Sequence, residues 1–126
     1  MTLSILYVDD DDDIRHIVAL SLGLDPNLSV RVAASGREAL EIVDTGWLPD
    51  VAILDVMMPG MDGLEVLEHL RERDAAETLP VLFMTARGRA ADVADYRSRG
   101  AAGVIIKPFD PIGLAQEVRD LLRASS

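Results

Sequence analysis

The stretch Val51-Ala52-Ile53-Leu54-Asp55, continued by Val56-Met57-Met58-Pro59-Gly60, decides the fold. Consecutive apolar residues without alternation read as a strand buried on both faces, and such strands belong to parallel sheets covered by helices on each side. The run ends on an acid and then on a turn. Pro59 disfavours the α region for Met58, and Gly60 tolerates positive φ. A buried strand therefore presents Asp55 at its carboxyl edge.

Three more runs have this form. Ile5-Leu6-Tyr7-Val8 ends at Asp9, Val81-Leu82-Phe83-Met84 at Thr85, and Gly103-Val104-Ile105-Ile106 at Lys107. Between them lie stretches of helical period. Ile14, Ile17, Val18, Ser21 and Leu22 follow the spacing of one buried stripe, and Asp25-Pro26-Asn27 ends that helix. Leu28 to Ala33 alternates Leu/Val/Val against Ser/Arg/Ala, an edge strand with one wetter face. Ser35 and Glu38 have capping-box spacing before Ala39, Leu40, Ile42 and Val43, and Asp62 and Glu65 repeat it before Leu64, Val66, Leu67 and Leu70. Gly88 to Arg99 predicts an Ala-rich helix with a narrow stripe of Val93, Ala94 and Tyr96, stopped by Gly100. Leu114, Ala115, Val118, Leu121 and Leu122 mark a closing helix. This alternation predicts an α/β fold, a mostly parallel, doubly wound sheet with helices on both faces. Such sheets bind ligands beyond the carboxyl ends of their strands.

The chain has 126 residues, 49% of them apolar, which excludes general disorder and predicts a single domain over 1–126 without an output domain. A net charge of −10 argues against nucleic acid as a partner, since no basic cluster exists to displace counterions from phosphates. With no cysteine there is neither a disulfide framework nor a thiolate metal site. The start of the chain has too short an apolar run and no basic flank for a signal peptide or membrane anchor, so a cytoplasmic location is expected.

Asp9 to Asp13 are five successive acids. For Asp11 to Asp13 a solvated start of a helix accounts for them, because acids favour the positive end of the helix dipole. Asp9 and Asp10 instead leave a buried strand at the edge where Asp55 also emerges. Two carboxylates about 4 Å apart repel by roughly 4 kcal/mol at an effective dielectric near 20, so such a group binds a cation or titrates upward. Oxygen-only donors select Mg²⁺ or Mn²⁺ over zinc. Asp55 is placed as a nucleophile, able to attack phosphorus if charge on the phosphoryl oxygens is neutralised by a metal and by donors. Thr85 and Lys107 supply a hydroxyl and an ammonium for that purpose. From sequence alone the Lys107-Pro108 bond is expected trans. His16 and His69 fall within helical stretches, share no ligand spacing and read as surface residues.

Tyr7-Val8-Asp9-Asp10, Ile53 through Gly63, Met84-Thr85-Ala86 and Ile106-Lys107-Pro108-Phe109, in this order and at these separations, resemble the receiver domain of bacterial two-component response regulators. The resemblance spans nearly the whole chain. It implies a flavodoxin-like sheet of five parallel strands in the order 2-1-3-4-5. It implies phosphorylation of Asp55 by a histidine kinase or histidine phosphotransfer protein, with Mg²⁺ held by Asp10, Asp55 and the Met57 carbonyl and with Asp9 assisting. Thr85 is then the switch hydroxyl, Lys107 pairs with the phosphoryl group, and the Lys-Pro bond is commonly cis. Met57 and Arg87 correspond to positions that set water access in relatives, and small Ala86 leaves the site open to a donor. One feature departs from the pattern: the position three before the lysine, often aromatic, is Val104.

The resulting expectation is a stand-alone, phosphorylation-controlled switch that changes its protein partners and is not an enzyme. Its read-out face would be the fourth helix, last strand and last helix. A rival is a Mg²⁺-dependent phosphohydrolase working through an aspartyl phosphate, but such enzymes usually carry an acid two residues after the nucleophile, where this chain has Met57. Two further rivals are a non-phosphorylated scaffold and a phosphate sink.

Overall fold

The computed structural model describes residues 2–125. Five strands, β1 (Leu3–Val8), β2 (Leu28–Ala33), β3 (Val51–Asp55), β4 (Val81–Thr85) and β5 (Gly103–Ile106), alternate with five helices, α1 (Asp12–Gly23), α2 (Gly36–Asp44), α3 (Gly63–Arg71), α4 (Ala90–Ser98) and α5 (Leu114–Ser125). All strand pairs are parallel and the order is β2-β1-β3-β4-β5, as expected. β3 lies in the middle and every one of its residues is buried, which is why its sequence does not alternate.

The side-chain period of two divides the core into two layers. Leu6, Val8, Ala52, Leu54, Val81 and Phe83 pack with buried residues of α2 and α3 and with Tyr96 of α4. Ile5, Tyr7, Val51, Ile53, Leu82, Met84 and Ile105 pack with Val18 and Leu22 of α1 and Leu114 and Val118 of α5. The sheet is thus covered on both faces, the arrangement that a parallel sheet requires. Among the described residues no helix is long and apolar enough to cross a membrane.

Local signals explain most element boundaries. Asp11 caps α1, its carboxylate accepting from the Asp13 and Ile14 amides, so this part of the acidic run does serve to start a helix. Asp62 and Glu65 form a complete capping box at α3. At α2 the exchange is offset: Ser35 Oγ accepts from the Glu38 amide, but Glu38 reaches the Ala34 amide instead of returning to Ser35. Gly60 and Gly100 adopt positive φ at their turns, a conformation that costs glycine little.

The structure departs from the sequence reading in three places. Ile17 is 41% exposed and lies beside the core stripe of α1. In β2 the alternation fails at the end, because Val32 faces solvent while Ala33 is buried against the α2 and α3 layer. In α4 only Tyr96 is fully buried, Val93 is half-buried against the same core layer and Ala94 is exposed, so the stripe narrows to Tyr96 with Val93 beside it. The Tyr96 ring stacks edge-on against Phe83 of β4, with ring centroids 5.4 Å apart at 66°. Such a pair is worth about 0.5–1.5 kcal/mol beyond its buried area, and Tyr96 is the one fully buried side chain of this nine-residue helix.

Candidate functional site

At the carboxyl edge β1 delivers Asp9, β3 ends on Asp55, β4 ends on Thr85 and β5 delivers Lys107. The main chain locks these ends together. The Asp9 amide donates to the Ala33 carbonyl at 3.1 Å, Val56 to Met84 at 3.1 Å, and Lys107 to Thr85 at 2.8 Å. α3 can approach closely because its first residue is Gly63: a Cβ there would lie 2.6 Å from the Asp55 carbonyl oxygen. The Lys107-Pro108 peptide bond is cis, correcting the expectation from sequence alone and agreeing with the resemblance.

The four strand-end groups converge unequally. Lys107 Nζ lies 3.4 Å from Asp55 Oδ1 and 3.8 Å from Asp9 Oδ2. It is the only lysine in the chain, a compact ammonium where every other basic residue apart from the two histidines is an arginine. Asp9, Asp10 and Asp55 each bring a carboxylate oxygen within 4.8 Å of the others. Asp9 is fully buried and Asp55 nearly so, whereas Asp10 is exposed. The Thr85 hydroxyl is turned to its own loop, accepting from the Arg87 amide at 3.0 Å. Asp55 Oδ1 accepts from the Met57 amide at 3.2 Å, and Met57 itself is 66% exposed. His16 and His69 are both exposed, as expected.

These positions leave an excess of negative charge in a half-dry cleft. Burial, and then the neighbouring Asp9 carboxylate, push the Asp55 carboxyl up to about 6, with Lys107 acting in the opposite direction. One ammonium does not offset three acids. A hard divalent cation fits the oxygen-only donor set and the surplus charge, and Asp9, Asp10 and Asp55 are the side chains able to hold it.

Sequence reasoning did not single out Tyr7 as part of the site. Its phenol is fully buried, donates to Asp9 Oδ2 at 2.7 Å and approaches Met84 Sδ at 3.4 Å. Burial, followed by the Asp9 contact, pushes this phenol far above its ordinary range, so it remains a donor. The available signal was its position: two residues before Asp9 on a strand, it shares a face with that acid.

An apolar cleft of about 420 Å³ opens beside Lys107, lined also by Ile14, Ile17, Ala86, Pro108, Phe109 and Pro111. The exposed Ile17 belongs to it.

The sequence matches the family model of the response regulator receiver domain over residues 5–119, and the chain belongs to that family. It is similar to response regulator Rre1 of Synechocystis sp., 38% identical over 120 residues, which are 95% of this chain and 52% of the relative. Response regulator MprA of Mycolicibacterium vanbaalenii is 39% identical over 126 residues, covering 100% of this chain and 53% of the relative. The chain thus spans about half the length of these curated relatives. Among solved structures, chemotaxis protein CheY4 of Vibrio cholerae superposes with a TM-score of 0.85 at 32% identity, covering 96% of this chain and 99% of that one. A response regulator from Chloroflexus aurantiacus gives 0.85 at 36% identity, covering 98% and 99%. Residues 5–119 are therefore a regulatory receiver domain with a CheY-type fold.

Proposed function

We propose that Asp55 accepts a phosphoryl group from a histidine kinase or histidine phosphotransfer protein, and that the modified domain changes its protein partners. The observation that carries this reading is the convergence of Asp9, Asp10, Asp55 and Lys107 at one strand edge. With Oδ1 held by the Met57 amide and Lys107, Oδ2 of Asp55 attacks phosphorus. The O–P bond forms as the P–N bond to the donor imidazole breaks, and the departing nitrogen keeps the electron pair.

Asp10, Asp55 and the Met57 carbonyl would hold Mg²⁺, with Mn²⁺ as a substitute and Asp9 assisting from its buried position. When bound, the ion neutralises charge on the transferring phosphoryl oxygens. Lys107 supplies a fixed cation to the same oxygens. Thr85 leaves the Arg87 amide and donates to the phosphoryl group, drawing the loop before α4 inward. Two charge-assisted hydrogen bonds at roughly 1.5–3 kcal/mol each are enough to shift a two-state loop from mostly one position to mostly the other. Helix α4, with Tyr96 its one fully buried side chain, gives that movement a surface to act on.

The kinase or phosphotransfer protein docks near α1, where the apolar cleft with Ile17 and Phe109 opens beside Lys107. The acidic surface fits protein partners in a cytoplasmic setting, with neither nucleic acid nor membrane as a target. All the acceptor chemistry lies within the one domain of residues 1–126. It is a regulatory modification, with phosphoryl transfer and self-dephosphorylation as its only reactions.

Incubation with acetyl phosphate and Mg²⁺ should attach one acid-labile, hydroxylamine-sensitive phosphoryl group to Asp55, located by reductive trapping and peptide mass analysis. Label at another residue would overturn the assignment. Sustained turnover of phosphate monoesters would favour the phosphohydrolase.

A further inference from the structure

We infer that Tyr7 is a positioning residue for the metal-binding carboxylates: its buried phenol fixes the Asp9 side chain so that Asp9 faces Asp10 and Asp55. The inference rests on the proposed Mg²⁺ reading and extends it to a residue outside the acid, threonine and lysine set. Tyr7 lies on β1 in register with Ile53 of β3, and Asp55 pairs in register with Met84 of β4. Tyr7, Ile53 and Met84 pack in the same core layer, beneath the end of β3. The phenol oxygen reaches both Asp9 Oδ2, at 2.7 Å, and Met84 Sδ, at 3.4 Å, so the ring spans from β1 to β4 under the site.

Asp9 needs such a partner. Its side chain is fully buried, so water does not hold it. Oδ1 accepts from the Asp11 amide at 3.0 Å, and Oδ2 has Lys107 no closer than 3.8 Å. The Tyr7 hydroxyl is the shortest of these contacts and fixes the carboxylate's rotation. Hydrogen bonds to the groups around a metal orient its ligands, and their loss typically costs about 10–100-fold in metal affinity.

Tyr7→Phe retains the ring and removes only the hydroxyl. Mg²⁺ titrations followed by backbone amide shifts should give about tenfold weaker binding in this variant than in the wild type, at the lower end of that range because Asp9 assists rather than dominates. Asp9→Ala supplies the control that a purely structural tyrosine would fail. In that background Tyr7→Phe should leave Mg²⁺ affinity unchanged, whereas a general packing defect would weaken it again. A second measurement needs no variant. The chain has only two tyrosines, Tyr7 and Tyr96, so ring-labelled wild-type protein gives two signals. The Tyr7 signal should move with the same midpoint as the Asp10 and Asp55 amides, while that of Tyr96, on α4, should stay nearly still. Tyr7→Phe binding indistinguishable from wild type, or a Tyr7 ring signal unmoved at saturation, overturns the inference alone. A wild-type protein with no saturable Mg²⁺ response overturns the metal reading and the inference with it.

Discussion

The two ends of the sheet use the same kinds of residue to opposite effect. At the amino edge, Asp50 Oδ2 accepts from the Ser4 amide at 2.7 Å and its hydroxyl at 3.0 Å, and the Asp50 amide donates back to the Ser4 carbonyl at 2.9 Å. Arg71 closes the same edge by donating to the carbonyls of Ala76 at 3.1 Å and Leu79 at 2.8 Å, just ahead of β4. Donors there meet acceptors, and each charged group stands apart from others of its own sign, held by neutral partners. At the carboxyl edge three carboxylates crowd within 4.8 Å, and the one ammonium pairs with Asp9 and Asp55. Polarity alone does not mark the site. What marks it is like charge crowded together beyond what one ammonium offsets, since that surplus favours an incoming cation, which in turn can draw in a phosphoryl group.

Asp55→Asn should break this contrast most severely, in two directions at once. Phosphoryl incorporation from acetyl phosphate should fall below detection, at least about a hundredfold, because the acceptor oxygen's charge is gone. The unmodified protein should become more stable at pH 7.5. The Asp55 carboxyl is raised from 3.8 to about 6, so the folded state holds this proton more tightly than the unfolded chain. Its stabilising contribution is present in full below about pH 3.8 and is lost as pH rises through 6, above which the crowded anion opposes folding. Removing that anion should raise stability by about 1–3 kcal/mol and Tm by about 3–8 °C, read by calorimetry without Mg²⁺.

The pH dependence of Mg²⁺ binding tests the same surplus. Affinity should hold level above about pH 7 and fall as pH drops through 6, approaching roughly tenfold per unit below it, because protons compete for Asp55. Isothermal titration across that range checks the slope, and a flat profile would remove Asp55 from the ligand set.

Arg71→Ala sharpens the comparison from the other end. Freeing part-buried carbonyls from a charged donor should cost about 1.5–3 kcal/mol in urea unfolding while leaving the phosphorylation rate of folded protein unchanged. Thr85→Ala should have the smallest effect on labelling, close to the wild-type level. It should nonetheless reduce the amide shifts in residues 86–99 that beryllofluoride induces in the wild type. Undiminished shifts would exclude the hydroxyl from the switch.

Much of the site was legible because strand ends are legible. A run of four apolar residues stopped by Asp9, Asp55, Thr85 or Lys107 fixes where the chain leaves the core, and parallel strands leave it on one side. Helix caps at Ser35 and Asp62 could be read for a similar local reason, since a side chain three residues from a free amide either reaches it or does not. Ile17 and Ala94 were misread because helical spacing defines a stripe without its width, and the width depends on how much neighbouring surface covers it. Tyr7 was missed because an aromatic residue in a strand is usually core, and its hydroxyl matters only through what lies at its tip.

Sequence alone settled the number and kind of elements, the parallel sheet and the four residues at its carboxyl edge, because each depends on apolar runs and turn residues close to one another along the chain. Tertiary structure decided which acid is buried and which is exposed, the approach of Lys107 to Asp55, and the reach of Tyr7 from β1 to Met84 on β4. The last of these joins residues 77 positions apart, and all of them follow from packing two helical layers against one twisted sheet. No local pattern encodes them.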